Sequence, residues 1–308
     1  MIDWAGKGAY DPVTRRMMFA GCGAGNNVAG GHRYNTHAIY SEASNTWSAV
    51  RGFRGSNQSS NTPGLVHVYD NNCISLKARR FYKKQFTADD FSRHGPIHQY
   101  DLDTNSWGPA FDGPQEVAAY MGNGAMDAVE TRGTRGSLWY MDKPSGSEQY
   151  AIWEYDIALR SWTKIIREGA FPALSVDSNG PLLSVNPRAF NGAGGVLVAA
   201  GNNRAYTVRI DTFAVNAVAG AAPTAIDVRV DGHLCRDPAG SGWLLFSATG
   251  YVYRSDGSGW SQRAPLPTPI NSQLGTSPMM TIPVDAYGVV HLITDAGASP
   301  NRAWIYRG

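Results

Sequence analysis

A glycine-rich segment near the start of the chain carries side chains that could bind a ligand. Residues 21–37 read "GCGAGNNVAGGHRYNTH", and the polar and aromatic residues follow the glycines: His32, Arg33, Tyr34, Asn35 and His37. Glycine lets a backbone approach a ligand closely, and tyrosine or histidine rings stack on a sugar or a base. The two histidines have no acidic partner nearby and match no metal-site spacing, so we predict no metal here. A solvated loop is the alternative.

A second candidate segment follows directly at residues 50–64, "VRGFRGSNQSSNTPG". Arg51 and Arg54 flank Phe53, and two guanidinium groups around an aromatic ring suit an acidic sugar or a protein carboxylate. The alternative is a surface loop with Phe53 packed beneath it. We predict that this segment emerges on the same face of the molecule, beside the first one.

A basic and aromatic stretch, "LKARRFYKKQFTADDFSRHG", occupies residues 76–95. Such interleaving can bind single-stranded nucleic acid. Asp89 and Asp90 follow directly, however, and the formal net charge of the chain is only +2. We therefore predict no nucleic-acid partner, and an extended second strand with part of the loop that follows it.

Local catalytic motifs are missing from the sequence. There is no GxSxG, no HExxH and no phosphate loop, and the seven histidines are scattered. Three cysteines without CxxC spacing indicate neither a disulfide framework nor a zinc site. An active site assembled around an axis from distant segments would leave no such motif, so these absences are weak evidence.

Two repeated phrases indicate the elements that must hold these segments. The first phrase places an aromatic residue seven positions before a tryptophan, at residues 40–47, 100–107, 155–162 and 253–260, with a degenerate copy at Ile210 and Ala217. The second phrase is an Asp or Asn turn followed by a short apolar run. It occurs six times, at Asp11, Asp70, Asp127, Asn186, Asp237 and Asp285.

The phrases alternate with a period of roughly 50 residues, which is typical of propeller blades. We predict an all-β, six-bladed β-propeller in which each blade has four antiparallel strands, a to d. Strand a ends in the Asp turn, b is the apolar run, c carries the aromatic residue and d begins at the tryptophan. The single domain 1–308 would divide into blades at 6–52, 64–112, 120–168, 180–220, 228–265 and 277–308 plus 1–5.

The last blade lacks a strand d at its own end of the chain. The sequence stops at "AWIYRG" and starts with "MIDW", so Tyr306 followed by Trp4 would restore the phrase. We predict that residues 1–5 complete this blade and close the ring, which removes exposed sheet edges.

In this geometry the a–b and c–d turns share one face, here called the turn face. The b–c and d–a connections share the other, the loop face, where recognition is expected.

Composition agrees with a soluble all-β chain. Gly 35 and Pro 17 are spread throughout, and no run of 18 apolar residues occurs. The N-terminus has no export signal, so we predict synthesis in the cytoplasm and no membrane insertion.

The six Asp/Asn turns and five tryptophans resemble those of kelch-repeat, galactose-oxidase-like propellers over essentially the whole chain; the tryptophans are Trp4, Trp47, Trp107, Trp162 and Trp260. A consistent Gly-Gly pair after strand b is missing, as in "LWYMD" at 138–142. Copper oxidases of this type append a β-domain for which no residues remain, so we predict no cofactor. "SDGSGW" at 255–260 has the wrong spacing for a sialidase Asp box.

The resemblance implies little function, because propellers serve as enzymes, scaffolds and binding proteins alike. We predict a non-catalytic recognition or assembly propeller that binds a protein or glycan through its loop face. A general likeness to bacteriophage tail and capsid-surface propellers makes a virion role the specific expectation. The alternative is a carbohydrate-active enzyme, a hydrolase or lyase. It requires a deep axial pocket with two carboxylates, an Arg or Tyr, and perturbed ionisation.

Overall fold

The computed structural model describes residues 7–22, 34–50, 70–84, 96–117, 124–172, 174, 180–200, 203–223, 232–247, 250–267, 279–294 and 302–308. These residues form six antiparallel sheets in chain order, which confirms the predicted six-bladed β-propeller. Five sheets have four strands and the last has three. Residues 1–5, including Trp4, lie outside the described residues, so the predicted fourth strand of the last blade stays a prediction.

The strands of the first three blades are β1 (Ala9–Asp11), β2 (Arg16–Cys22), β3 (Tyr34–Ser41) and β4 (Thr46–Val50); β5 (Asn72–Ser75), β6 (Arg80–Lys84), β7 (Ile97–Asp101) and β8 (Ser106–Trp107); and β9 (Ala125–Val129), β10 (Ser137–Asp142), β11 (Ala151–Asp156) and β12 (Ser161–Ile166).

The strands of the last three blades are β13 (Leu182–Asn186), β14 (Gly195–Ala200), β15 (Arg204–Arg209) and β16 (Val215–Ala217), with a 3₁₀ turn at Phe190–Gly192; β17 (Gly232–Arg236), β18 (Trp243–Ser247), β19 (Val252–Ser255) and β20 (Trp260–Gln262); and β21 (Met279–Val284), β22 (Val289–Thr294) and β23 (Arg302–Arg307).

The first strand of each blade lies at the axis. Each one contacts the first strands of its two neighbours, and this includes β21 with β1. The apolar core accordingly consists of six clusters, each formed between two adjacent blades. Burying a large apolar side chain contributes roughly 1.5–3 kcal/mol. The hydrophobic effect therefore holds the blades to one another rather than closing each blade on itself.

The aromatic-to-tryptophan phrase corresponds to directly opposed residues on strands c and d in the first three blades. Tyr40 pairs with Trp47, and the equivalent pairs are Tyr100 with Trp107 and Tyr155 with Trp162. The ring centroids lie 5.3, 5.3 and 5.0 Å apart. Cross-strand aromatic contacts of this kind stabilise a sheet.

The later copies of this phrase have a different register. Trp260 pairs with Ser255, not with Tyr253, because the turn between β19 and β20 has the same length as in the first three blades but lies one residue closer to the tryptophan. In the fourth blade Val208 pairs with Val215, so the predicted pair Ile210 and Ala217 is wrong by two residues.

The c–d turns of the first three blades share one strained position. Asn45, Asn105 and Arg160 each lie two residues before the tryptophan and have φ of 52°, 54° and 55°. Asparagine tolerates this left-handed conformation better than other non-glycine residues. The left-handed conformation is therefore least favourable at Arg160.

The Asp phrase marks the a–b turn in only some blades. Asp11 and Asn186 end β1 and β13, and Asp237 and Asp285 follow β17 and β21 directly. Asp70 instead precedes β5, and Asp127 lies in the middle of β9, so the predicted turns there are wrong. Both aspartates lie near the axis instead. In the sequence, an aspartate at the axis has the same kind of neighbours as an aspartate that caps a turn.

The basic stretch contains strand b, as predicted, but its first residues belong to the preceding turn. Residues 76–79 form the a–b turn of the second blade, and strand b is Arg80–Lys84; the remainder, 85–95, lies outside the described residues. Phe81, Tyr82, Lys83 and Lys84 are buried. Among the described residues there is no helix that is long and apolar enough to cross a bilayer.

Candidate functional site

The predicted ligand-binding group falls largely on residues that the structure does not describe. His32, Arg33, Arg51, Phe53 and Arg54 all lie outside the described residues. The backbones of Tyr34 and Asn35 belong to β3. Ligand binding by these residues stays a prediction.

His37 is packed between the first and second blades. Its side chain is fully buried and its ring stacks on Phe81 at 4.9 Å, with Tyr100 edge-on at 4.5 Å. Neither ring nitrogen has a hydrogen-bond partner among the described residues. Burial, with the charges of Lys83 and Arg16, lowers the pKa of His37 to about 3. This neutral ring contributes to packing and does not face a ligand at the surface.

A cavity of about 140 Å³ lies on the axis, lined by residues of the first strands and of the turns that follow them. We call it the axial cavity. The charged side chains that line it come from three blades and the segment before β1: Lys7, Asp127, Glu130, Arg236 and Asp285. Tyr10 and Asn72 line it as well. Its composition is that required by the enzyme alternative, namely carboxylates with an arginine and a tyrosine.

Lys7 is the central cation of this region. Its Nζ lies 2.8 Å from Asp127 Oδ2 and donates to the carbonyls of Met126 and Leu183 at 3.2 and 3.0 Å. Burial lowers the pKa of Lys7, but the charges of Asp127 and Asp70 outweigh that effect, so its pKa is raised. All three ammonium hydrogens are used in these contacts. Lys7 therefore joins the segment before the first blade to the third and fourth blades.

Asp70 is the second buried carboxyl group near Lys7. It accepts a hydrogen bond from the Leu183 amide at 2.8 Å. Burial raises the pKa of Asp70 to about 7, against the opposing effects of Lys7 and that amide. We call Lys7, Asp70 and Asp127 the axial ion cluster.

The carboxylates nearer the mouth of the axial cavity are engaged in contacts between blades. Glu130 accepts hydrogen bonds from the amides of Leu76 and Lys77 at 2.6 and 3.0 Å. Asp285 binds Arg236 at 3.0 Å and Arg188 at 3.1 Å. These carboxylates fix the turns of neighbouring blades, and that use competes with a role in proton transfer.

A larger depression lies at the rim between the second and third blades. It has a volume of about 540 Å³. We call it the rim groove, and its lining residues are 111–116, Trp153, Tyr155, Arg160, Trp162 and Lys164. The segment 111–116 is the d–a connection of the second blade, and the other residues belong to the c and d strands of the third blade and the turn between them.

Aromatic side chains line much of the rim groove. Phe111 stacks on Tyr155 with centroids 4.3 Å apart and ring planes at 11°. Trp162 lies 5.0 Å from Tyr155, and its Nε1 donates to the Asp112 carbonyl at 2.9 Å. Phe111 and Trp162 are half-buried, so part of each ring contacts solvent.

Charged groups surround these rings. Lys164 pairs with Glu116 and, at 2.8 Å, with Glu168, and its ammonium lies 5.5 Å from the Trp153 ring. Arg160 and Asp112 are exposed, and their side chains form no hydrogen bond with other described residues. The groove thus offers an uncommitted donor and an uncommitted acceptor beside aromatic surface.

Sequence reasoning identified the residues of neither site, although the enzyme alternative called for an axial pocket with carboxylates and an arginine or tyrosine. Tyr155 and Trp162 are part of the repeated phrase, but the phrase assigns them to packing alone. No local pattern connects them to Phe111, or Lys7 to Asp127, because each pair comes from different blades. Among the described residues no group of three His, Cys, Asp or Glu side chains is placed to hold a metal ion.

Comparison with known proteins shows the fold alone. No family model matches the chain, and no curated protein does. Among solved structures, YjhT superposes with a TM-score of 0.53 and 10% identity, covering 100% of this chain and 95% of that one.

Two further solved structures superpose similarly. A calcium-binding protein, regucalcin, from Agrobacterium tumefaciens has a TM-score of 0.52 and 12% identity and covers 96% of this chain and 82% of its own. A luciferin-regenerating enzyme has a TM-score of 0.53 and 9% identity and covers 100% and 92%. The chain is therefore a six-bladed β-propeller whose structural neighbours include both an enzyme and a binding protein.

Proposed function

We propose that this propeller is a non-catalytic recognition protein that binds a glycan in the rim groove. The observation that carries the proposal is the grouping of half-exposed aromatic rings with uncommitted charged groups in one concave site. Aromatic faces pack against the C–H surface of a sugar ring, while Arg160 and Asp112 can donate to and accept from its hydroxyl groups. The relation to kelch-repeat propellers is part of this proposal and is supported by the aromatic pairs of the first three blades.

The size of the groove favours a glycan over a protein surface. Small-molecule sites enclose about 300–1,000 Å³, and the groove holds about 540 Å³. A stable protein interface instead needs roughly 800 Å² on each partner. A sugar or short oligosaccharide can fill the groove without contacting the surface around it.

The commitment of the axial carboxylates favours recognition over catalysis. Glu130, Asp127 and Asp285 each accept hydrogen bonds that join blades. A general acid or base must be free to exchange a proton with a substrate. The rim groove, in contrast, has its free groups at its opening.

The test is glycan-array binding followed by calorimetry with the best glycan, on wild-type protein and two variants. Trp162→Ala and Arg160→Ala should each weaken binding at least tenfold. Trp47→Ala is the matched control, since Trp47 has the same place in the repeat but lies outside the groove. Loss of binding in the control alone would assign recognition to the neighbouring loop segments, and unchanged binding in both groove variants would exclude the rim groove.

A carbohydrate-active enzyme is the second candidate, because the axial cavity has the required side-chain types. Incubation of the same glycans with wild-type protein should release no product over a day. Time-dependent cleavage or elimination that is lost in Asp285→Asn but kept in Trp162→Ala would replace the recognition proposal with an axial active site.

A further inference from the structure

The sixth blade has no outer strand among the described residues. Its sheet ends at β23, which is strand c, whereas each of the other five sheets has a fourth strand beyond strand c. Ile305 of β23 is 66% exposed, and Ala303 is exposed as well. In the second blade the residue equivalent to Ala303, three positions before the tyrosine of strand c, is Ile97, and it is fully buried. The edge of β23 therefore has the accessibility of a strand onto which another strand can add.

The seam between the second and third blades shows what a fourth strand covers. There Phe111 pairs with Ile97, with backbone N–O distances of 2.8 and 3.1 Å, and its ring stacks on Tyr155. Tyr155 is buried. The equivalent tyrosine at the seam between the sixth and first blades is Tyr40, and it is only half-buried. An aromatic side chain opposite Ala303 would have the same place relative to Tyr40 as Phe111 has relative to Tyr155.

The position of Lys7 argues against the predicted closure by residues 1–5. Lys7 forms a parallel bridge with Thr281 of β21, on the edge that β22 leaves open, and the Gly8 amide donates to the Thr281 carbonyl at 3.1 Å. Strands are about 4.8 Å apart, so a fourth strand beyond β23 would lie four spacings, or about 19 Å, from Lys7. Three residues span at most about 11 Å. A residue three positions before Lys7, such as Trp4, is therefore too close to the axis to lie in that strand.

The charges at this edge indicate the class of partner. β23 begins and ends with an arginine, and the second of them, Arg307, is exposed. Burial raises the pKa of Tyr306 and the charge of Arg263 opposes that effect, so Arg263 acts on the same edge. If two copies of β23 paired antiparallel along their whole length, each first arginine would face a last arginine, and like charges directly opposite are destabilising. Charge complementarity instead favours a strand that carries acidic residues at its ends.

We propose that the edge of β23 binds an extended segment of another protein, which carries an aromatic residue between acidic residues and becomes the fourth strand of the sixth blade. Backbone hydrogen bonds supply affinity, and contacts with Tyr40 and Arg307 supply specificity. In the second blade the Ile97 amide donates to the outer strand. Since alternate amides of a strand point the same way, the amides of Ala303 and Ile305 should donate to the partner. This surface is separate from the rim groove and goes beyond glycan recognition.

The test uses a fluorescently labelled, acetylated peptide of sequence Glu-Trp-Thr-Val-Phe-Glu. In antiparallel pairing its first glutamate lies opposite Arg307 and its phenylalanine opposite Ala303. One comparison peptide has lysine at both glutamate positions, and the other has proline in place of threonine and valine. Fluorescence anisotropy at low salt measures binding, and ¹⁵N NMR measures the hydrogen exchange of backbone amides. We expect saturable binding of the acidic peptide, at least tenfold weaker binding of both comparison peptides, and slowed exchange at Ala303 and Ile305.

A charge reversal on the exposed end of β23 identifies the edge as the binding surface. Arg307→Glu should weaken binding of the acidic peptide at least threefold and strengthen binding of the lysine peptide, because an exposed ion pair at low salt has this order of effect. Arg204→Glu is the matched control and should change neither affinity. Arg204 is also an exposed arginine on a strand c, but its blade has a fourth strand.

Four results would overturn the proposal. The first is that the acidic peptide does not bind saturably, or binds no more tightly than the lysine or proline peptide. The second is that Arg307→Glu binds the acidic peptide like wild type. The third is slow exchange of Ala303 and Ile305 in the free monomer, which would show that the chain itself already pairs with this edge. The fourth is a peptide-free dimer in sedimentation that Arg307→Glu changes, which would assign the edge to a second copy.

Discussion

The axis and the rim of the third blade use charged and aromatic side chains in opposite ways. At the axis, Asp127 of β9 is buried, and its carboxylate is held by Lys7 and by the Val185 amide. At the rim, Trp162 of β12 is half-buried, and the neighbouring Arg160 is exposed with no described side-chain partner. The inner strand of the third blade thus stabilises the ring, whereas its outer strand lies at the proposed glycan-binding site.

The physical reason is solvation. A buried ion must recover its hydration energy from its neighbours, so axial charges are stable only when every one of them is paired. A rim charge keeps its water and can exchange it for a ligand at little cost. Substitutions at the axis should therefore change stability, and substitutions at the rim should change binding.

The largest expected effect is at the axial ion cluster. Lys7→Met leaves Asp127 and Asp70 buried without a cation, so we expect a loss of about 3–5 kcal/mol in the free energy of unfolding. Urea denaturation at neutral pH measures it. The exposed Lys77→Met should change stability by less than about 0.5 kcal/mol. Equal stability of the two variants would remove the distinction between axis and surface.

The next effect concerns the pH dependence of stability. The pKa of Asp70 is about 7 in the folded chain, against an ordinary pKa of 3.8 for an aspartate. The folded state therefore binds this proton more tightly, and the resulting stability is fully present below about pH 4 and is lost as pH rises through 7. At about 1.4 kcal/mol per pKa unit the loss is about 4 kcal/mol.

Asp70→Asn keeps an acceptor for the Leu183 amide and removes the titration. The difference in unfolding free energy between variant and wild type should therefore grow from pH 4 to pH 7. A difference that stays constant over this range would show that Asp70 does not titrate at the axis.

A smaller effect is expected at the seam between the first two blades, midway from axis to rim. His37→Phe removes two unpartnered ring nitrogens and keeps the stacking on Phe81, so we expect about 1 kcal/mol of added stability at pH 7. The lowered pKa of His37 stabilises the fold above pH 6.5 and that stability is lost as pH falls toward 3. The advantage of His37→Phe over wild type should therefore increase below pH 6.5. A variant less stable than wild type at pH 5 would contradict this.

The smallest expected effect is at the rim, where one substitution should change stability and glycan binding in opposite directions. Arg160 has φ of 55°, a conformation that glycine adopts freely. Arg160→Gly should raise stability by about 0.5–1 kcal/mol while weakening glycan binding, as judged by thermal unfolding and calorimetry on the same samples. Arg167→Gly, at a position without positive φ, is the control and should not gain stability. If Arg160→Gly binds glycan like wild type, the guanidinium has no role in the groove.

Prediction from sequence succeeded where the determining contacts are local. Tyr155 and Trp162 lie on adjacent strands joined by one short turn, so their spacing alone specified the pair. It failed at Trp260, where the turn lies one residue closer to the tryptophan and so shifts the register, and at Asp127, where an aspartate at the axis has the same sequence pattern as one that caps a turn. The period of the repeats was enough to count the blades.

Neither site could be found in this way, because each depends on chain segments from different blades. Phe111 reaches Tyr155 only because a bridge to Ile97 extends the outer edge of the second blade. Asn72 lines the axis beside Lys7, 65 residues away in sequence. His37 belongs to a strand, although its glycine-rich neighbours predicted a loop.

The hydrogen bond from Lys7 to the Leu183 carbonyl spans 176 residues. The ribosome must therefore synthesise at least 176 residues beyond Lys7 before this side chain can reach its final position. Contacts so distant in sequence slow folding, because chain closure precedes any gain from them. Lys7 is therefore among the last residues to reach its folded position, and until then its ammonium group remains exposed to solvent.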